Sequence, residues 1–241
     1  MKATRQLALD LRHRPALGRE DFLVAPSNEL AVAWIDRWPQ WPAQALAVYG
    51  PPGSGKTHLC QVWRHSSGAV AVDAAALRHN EPPALLGDAT ACVVEAVADV
   101  LEQEPEIARR LLHLYNMMLE RGGYLLVSDR LPPARWTCPL ADLRSRLSGM
   151  QAVALSEPDD ALVQAVLVKL FLDRQLTVTP EVVQFLAPRI ERSLDAARSI
   201  VSAIDNRALA ARRQITVPLV RLVLSEMDAD RHESPQEDSS N

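Results

Sequence analysis

The sequence predicts a parallel α/β sheet followed by an all-helical segment, and three observations carry that prediction. Five short apolar runs, at 45–49, 69–72, 91–94, 124–127 and 151–155, are rich in Val, Ala and Leu and too short for helices. Stretches with helical spacing separate them, and strands that alternate with helices build parallel sheets. After Leu155 the apolar runs stop, while the helical spacing continues.

Taken in order, the run at 45–49 leads into a glycine-rich turn and then a helix over 57–65. The segment 106–121 places Ile107, Leu111, Leu114, Tyr115 and Met118 on one helical face. Past the fifth run, Ser156-Glu157-Pro158-Asp159 reads as a helix start, followed by apolar residues at helical intervals over 161–171. Thr179-Pro180 supplies an N-cap with proline at the first helical position. Ser193 opens another helix to about Arg212, and Thr216 a last one to about Met227. The expected organisation is therefore an N-terminal peptide at 1–16, an α/β domain at 17–156, a helical domain at 157–228 and a polar tail at 229–241, too poor in apolar residues to offset its ordering entropy.

With 26 Lys and Arg against 30 Asp and Glu, the net charge of −4 gives no electrostatic case for wrapping nucleic acid. The three cysteines, Cys60, Cys92 and Cys138, form no C-x-x-C pair and suit a reducing compartment. No continuous apolar run marks a signal or a membrane span, so a cytoplasmic protein is expected. Trp34, Trp38 and Trp41 are spaced for packing a helix and its exit against the core. The histidines are scattered without metal-ligand spacing, so no structural zinc is expected.

Gly50-Pro51-Pro52-Gly53-Ser54-Gly55-Lys56-Thr57 fits G-x-x-x-x-G-K-[ST] between a strand and a helix, the context that a phosphate-binding loop requires. The glycines let backbone N–H groups and the helix N-terminus converge on a phosphate. Lys56 adds a charge, and Thr57 a hydroxyl for Mg²⁺. His58, which follows directly, is placed at the edge of the nucleotide site and otherwise reads as helix surface or core. The expected ligand is ADP or ATP. The third apolar run ends in Glu95-Ala96, with Glu95 available to the metal, or else an ordinary solvated strand-end carboxylate. Nucleotide hydrolases of this class usually carry two consecutive acids here. Ala96 cannot polarise water, so weak or absent intrinsic hydrolysis is expected.

Four motifs together, the phosphate loop, Asp21-Phe22-Leu23-Val24-Ala25-Pro26-Ser27-Asn28, Ser128-Asp129-Arg130-Leu131-Pro132-Pro133 and Leu143-Arg144-Ser145-Arg146-Leu147, resemble the AAA+ superfamily, and within it the DnaA/Hda branch. The resemblance covers about residues 20–226. It implies a P-loop AAA+ five-stranded parallel sheet with helices on both faces, followed by a small helical lid. It places Phe22, Leu23, Val24 and Asn28 around the adenine and Asp129 at the sensor strand. It also makes Arg146 an arginine supplied in trans to a partner's nucleotide, with Arg144 in reserve; both are otherwise surface ion-pair residues. The lid arginine of the family falls near Asp195, leaving Arg192 or Arg198 to replace it. A chain that passes from lid to acidic tail is expected to lack the initiator's DNA-reading domain.

Gln6-Leu7-Ala8-Leu9-Asp10-Leu11 resembles the peptide with which replication proteins of this branch dock on the β sliding clamp. In an extended segment Leu7, Leu9 and Leu11 share one face, and Gln6 offers hydrogen bonds at its edge. The resemblance implies DnaA and the clamp as partners, self-association through AAA+ surfaces, weak or absent direct DNA binding, and stimulation of hydrolysis by DnaA. A helicase-loading ATPase with its own turnover and a purely structural adaptor are the alternatives.

Overall fold

The computed structural model describes residues 22–211 and 214–233. They fall into two compact units that part between Glu157 and Pro158.

The first unit runs α1 (Glu29–Asp36), β1 (Ala45–Tyr49), α2 (Lys56–Ser67), β2 (Val70–Asp73), α3 (Ala74–His79), α4 (Pro82–Leu86), β3 (Ala91–Glu95), α5 (Ala98–Leu101), α6 (Pro105–Glu120), β4 (Tyr124–Asp129), α7 (Ala141–Ser148) and β5 (Gln151–Ala154). The five strands form one sheet in the order β2-β3-β4-β1-β5, with every pairing parallel. All five expected strands are present, within a residue or two of their apolar runs.

Alternation along the strands explains how the sheet is covered on both faces. Ala45 and Ala47 of β1, Cys92 and Val94 of β3, and Leu125 and Val127 of β4 point to one side, where Ile107, Leu111, Leu114 and Met118 of α6 and Leu143 and Leu147 of α7 close over them. Leu46 and Val48, Ala91 and Val93, and Leu126 point to the other side, against Val32 and Ile35 of α1 and Leu59 and Trp63 of α2. Trp41 stacks on Trp63 at 5.4 Å, and Trp34 and Trp38 pack against the same cluster, as their spacing suggests. Close packing fixes Gly123 before β4, where an added Cβ would lie 2.7 Å from the carbonyl oxygen of Thr90.

The second unit is helical: α8 (Asp160–Asp173), α9 (Pro180–Leu186), α10 (Leu194–Ala211) and α11 (Val217–Glu233). Asp159 caps α8 by accepting from the backbone N–H of Leu162 at 2.7 Å, and the Ser193 hydroxyl accepts from Asp195 and Ala196 at the start of α10. Val163, Leu167, Phe171, Leu186, Ile200 and Ile204 form its core. The last helix continues to Glu233, past the Met227 at which the sequence pattern fades, so residues 229–233 are helical rather than part of an irregular tail. Extending a nucleated helix adds one hydrogen bond per residue fixed, and Glu226, Met227 and Ala229 are good helix formers. No helix among the described residues is long and apolar enough to cross a membrane.

Candidate functional site

The carboxyl ends of β1, β3 and β4 come together on one edge of the sheet. Register sets Tyr49 beside Asp129 and Glu95 beside Ser128. The loop between β1 and α2 leaves this edge, its first residue tied down by a bond from Gly50 N–H to the carbonyl of Asp129 at 3.2 Å.

Glycine is required here for two different reasons. At Gly50 a Cβ would sit 2.3 Å from the carbonyl oxygen of Leu155, so the obstacle is another backbone. Gly55, the residue before α2, has φ +100°, a left-handed conformation that side chains disfavour. The turn it permits starts α2 with its first backbone N–H groups beyond the reach of intrahelical carbonyls. Lys56 folds back over the loop, its Nζ donating to the carbonyls of Gly50 and Pro51 at 2.8 Å each. A cation is thus held at the mouth of the cradle. Ser54 is buried in the loop, and its hydroxyl has no hydrogen-bond partner among the described residues. A small cradle with an ammonium, a helix N-terminus and a buried hydroxyl fits the phosphates of a mononucleotide.

Glu95, half-buried at the end of β3, meets the Thr57 hydroxyl by a hydrogen bond. Burial pushes its carboxyl above the ordinary range, and Asp73 adds to that; Thr57, Arg64 and Lys56 oppose it. One hydroxyl and one carboxylate side by side suit Mg²⁺, which keeps several waters and takes the rest of its shell from phosphate. Ala96 follows at φ +54°, exposed, with its N–H bonded to the carbonyl of Ser128 at 3.0 Å. The chain therefore bends off the strand at the position where a second acid is missing.

The segment before α1 reaches the same loop. Phe22 is buried, and its ring stands edge-on to His58 with centroids 5.1 Å apart. His58 is thereby a packing partner of Phe22 on α2. Asn28 is 3% exposed; its side chain accepts from Ala25 N–H at 2.9 Å and donates to Leu23 C=O at 3.0 Å, so it holds Leu23 and Val24 in place. Asp129 is also committed internally. One oxygen accepts from Ala98 N–H at 3.0 Å and the other from Arg130 N–H at 2.7 Å, which ties β4 to the start of α5.

Arg144 and Arg146 lie on α7. Arg144 is exposed, with one weak bond to the carbonyl of Cys138 at 3.4 Å. Arg146 has its Nε 3.4 Å from Asp142 and its guanidinium 5.5 Å over the ring of Tyr115 on α6. In the helical unit Asp195 pairs with Arg198 at 2.9 Å, and Arg192 pairs with Asp160 at 2.9 Å. Gln6, Leu7, Leu9 and Leu11 lie outside the described residues.

Three comparisons bear on the family. Residues 160–224 match the family model for the lid domain of Hda. The chromosomal replication initiator protein DnaA of Thermomicrobium roseum is 27% identical over 232 residues, covering 87% of this chain and 50% of that protein. Domain III of the Thermotoga maritima initiator DnaA superposes with a TM-score of 0.77 at 17% identity, over 88% of this chain and 98% of that one. The chain is similar in sequence to DnaA, has the fold of its domain III, and carries a segment that matches the Hda lid family. It spans about half the length of the curated relative it matches. AMPPCP-bound DnaA from Aquifex aeolicus shares the AAA+ fold as well, with a TM-score of 0.66 at 16% identity over 92% of this chain and 71% of that one.

In this chain the structure joins most of the loop residues read from sequence, and it adds three features that the sequence leaves hidden. These are the direct Thr57–Glu95 bond, the left-handed backbone at Ala96 and the seat of Arg146 on Tyr115.

Proposed function

We propose that this protein binds ADP or ATP with Mg²⁺ and acts as a regulator of replication initiation, docking on the β sliding clamp and stimulating ATP hydrolysis by DnaA. The observation that carries the reading is a phosphate cradle complete in Gly50, Gly55, Lys56, Thr57 and Glu95 beside an Ala96 that offers no carboxylate. Such a subunit grips nucleotide but does not activate water. Solved relatives described as bound to AMPPCP support the nucleotide, and the lid match supports the Hda-like role.

Arg146 serves as the arginine supplied in trans. A guanidinium that reaches the γ-phosphate of a partner neutralises charge developing there, an effect worth about 10³–10⁵ in rate in comparable GTPases. Its neighbour Arg144 is the reserve. Gln6, Leu7, Leu9 and Leu11 make the clamp contact, the leucines filling an apolar cleft as one face of an extended peptide.

The test mixes the protein with DNA-loaded clamp and ATP-charged DnaA and follows conversion to ADP. Stimulation is expected, and it is expected to disappear with Arg146→Ala, without the clamp, or on deletion of residues 6–11. Stimulation that persists without clamp and without residues 6–11 sinks the docking role. Robust ATP turnover by the protein alone sinks the regulator reading in favour of a loader-type ATPase.

A further inference from the structure

We infer that Tyr115 is a positioning residue for Arg146, a reading that rests on the trans-arginine role proposed above. The two side chains come from different helices, α6 and α7, and 31 positions of sequence separate them. The guanidinium carbon stands 5.5 Å from the centre of the Tyr115 ring, within the range at which a cation is attracted to an aromatic face. Asp142, one turn earlier on α7, approaches Nε at 3.4 Å. Arg146 Nε is shielded from solvent yet makes no hydrogen bond, so Asp142 attracts it by charge alone.

What this leaves exposed matters more than what it buries. The side chain as a whole is 36% exposed. A ring face and a carboxylate thus flank the guanidinium, while about a third of the side chain stays open to solvent. Bidentate recognition of a phosphate needs that combination, because the planar fork must arrive in one orientation. An unsupported arginine at the end of a helix face would lose its rotamer freedom only on meeting its partner. Tyr115 removes part of that loss beforehand. The ring does so without competing for the donors, since an aromatic face attracts the cation and accepts none of its N–H bonds in full.

The test uses the full chain in the DnaA hydrolysis assay with Tyr115→Phe, Tyr115→Leu, Arg146→Ala and the double variant Tyr115→Leu/Arg146→Ala. Tyr115→Leu keeps apolar volume for the core but removes the ring face. It is expected to lower the maximal stimulated rate about two- to fivefold, the factor that corresponds to an exposed cation–π contact. The concentration for half-maximal stimulation and the ADP-dependent melting temperature should stay as in the wild type. Tyr115→Phe should restore the wild-type rate, and Tyr115→Leu should change nothing further in the Arg146→Ala background.

A second readout needs no activity. The Nε–H proton resonance of Arg146, identified by its absence in Arg146→Ala, should be displaced by the ring in the wild type and in Tyr115→Phe, and return toward the free-arginine position in Tyr115→Leu. A resonance that does not move with Tyr115→Leu overturns the proposal, as does a moved resonance with an unchanged stimulated rate. A loss in Tyr115→Leu that repeats in the Arg146→Ala background also overturns it, because the ring would then act on something else. If Arg146→Ala itself stimulates fully, the trans-arginine reading fails first and the positioning role falls with it.

Discussion

The hydroxyl of Thr57, at the start of α2, hydrogen-bonds the carboxylate of Glu95, at the end of β3, and so couples the phosphate loop to the neighbouring strand. The carboxylate pays a desolvation cost there, and its folded-state pKa lies above the ordinary value. A raised carboxyl pKa contributes stability at acid pH that is lost as pH rises through the folded value. Glu95→Gln is therefore expected to raise the melting temperature of the nucleotide-free protein at neutral pH, with a gain that shrinks as pH falls into the carboxylate range. The same variant should lose the extra stabilisation that Mg²⁺ adds in the presence of nucleotide. Thermal scans at pH 5 and pH 7.5, with and without MgADP, check both halves.

Lys56 is held in its loop by two carbonyls at 2.8 Å, poised as a fixed cation. Lys56→Met should weaken ADP binding by about 10- to 100-fold, the range for a hydrogen bond to a charged group. Far-ultraviolet circular dichroism should not change. Isothermal titration of both proteins with ADP measures the ratio.

A methyl group at position 50 would meet the Leu155 carbonyl oxygen at 2.3 Å, and backbone cannot swing aside as a side-chain tip can. Gly50→Ala should cost about 1–3 kcal/mol in a urea titration, the range for overpacking in a tight interior.

Ala96 occupies a left-handed backbone conformation, φ +54°, immediately after β3. Ala96→Gly should stabilise the protein by up to about 1 kcal/mol, because a residue without Cβ accepts that conformation freely. Ala96→Glu should not create a hydrolase, since its carboxylate would leave from a turned backbone and not along the strand direction. ATP turnover that climbs well above background in Ala96→Glu would show that only the missing acid matters.

Cys60 and Cys92 are buried, and burial drives each thiol up to about 12. Glu95 reinforces the effect at Cys60. Thiolates are the reactive form, so neither cysteine should react with a disulfide reagent at pH 8 on the timescale of minutes until denaturant is added. A fast native phase from either residue would contradict the burial.

The sheet was legible from sequence because a strand covered on both faces needs apolar residues at every position, and runs such as Ala45–Tyr49 and Ala91–Glu95 are too short to form any other buried element. The helices α3, α4 and α5 were not, since they have six, five and four residues, fewer than two turns in which a 3.6-residue period can show. They depend instead on local devices such as the Asp73 cap, which accepts from Ala76 N–H at 2.7 Å, and Pro82 at the start of α4. The phosphate loop could be read in full, as its chemistry is contiguous. Contacts that join distant segments, such as Tyr115 with Arg146 or Phe22 with His58, left no local pattern to read. Asp129 shows the same limit: its place beside the loop follows from the strand, while the use of both its oxygens by Ala98 and Arg130 does not.

That double use has a consequence for descent. Asparagine has the shape of aspartate but presents one oxygen and one amide nitrogen, and two backbone donors cannot both be answered by a single acceptor. Whichever way such an amide turned, an N–H would face an N–H at Ala98 or at Arg130. Among chains that inherit this crossing, even the nearest isostere should be rare at position 129, where charge matters less than having an acceptor at each end of the fork.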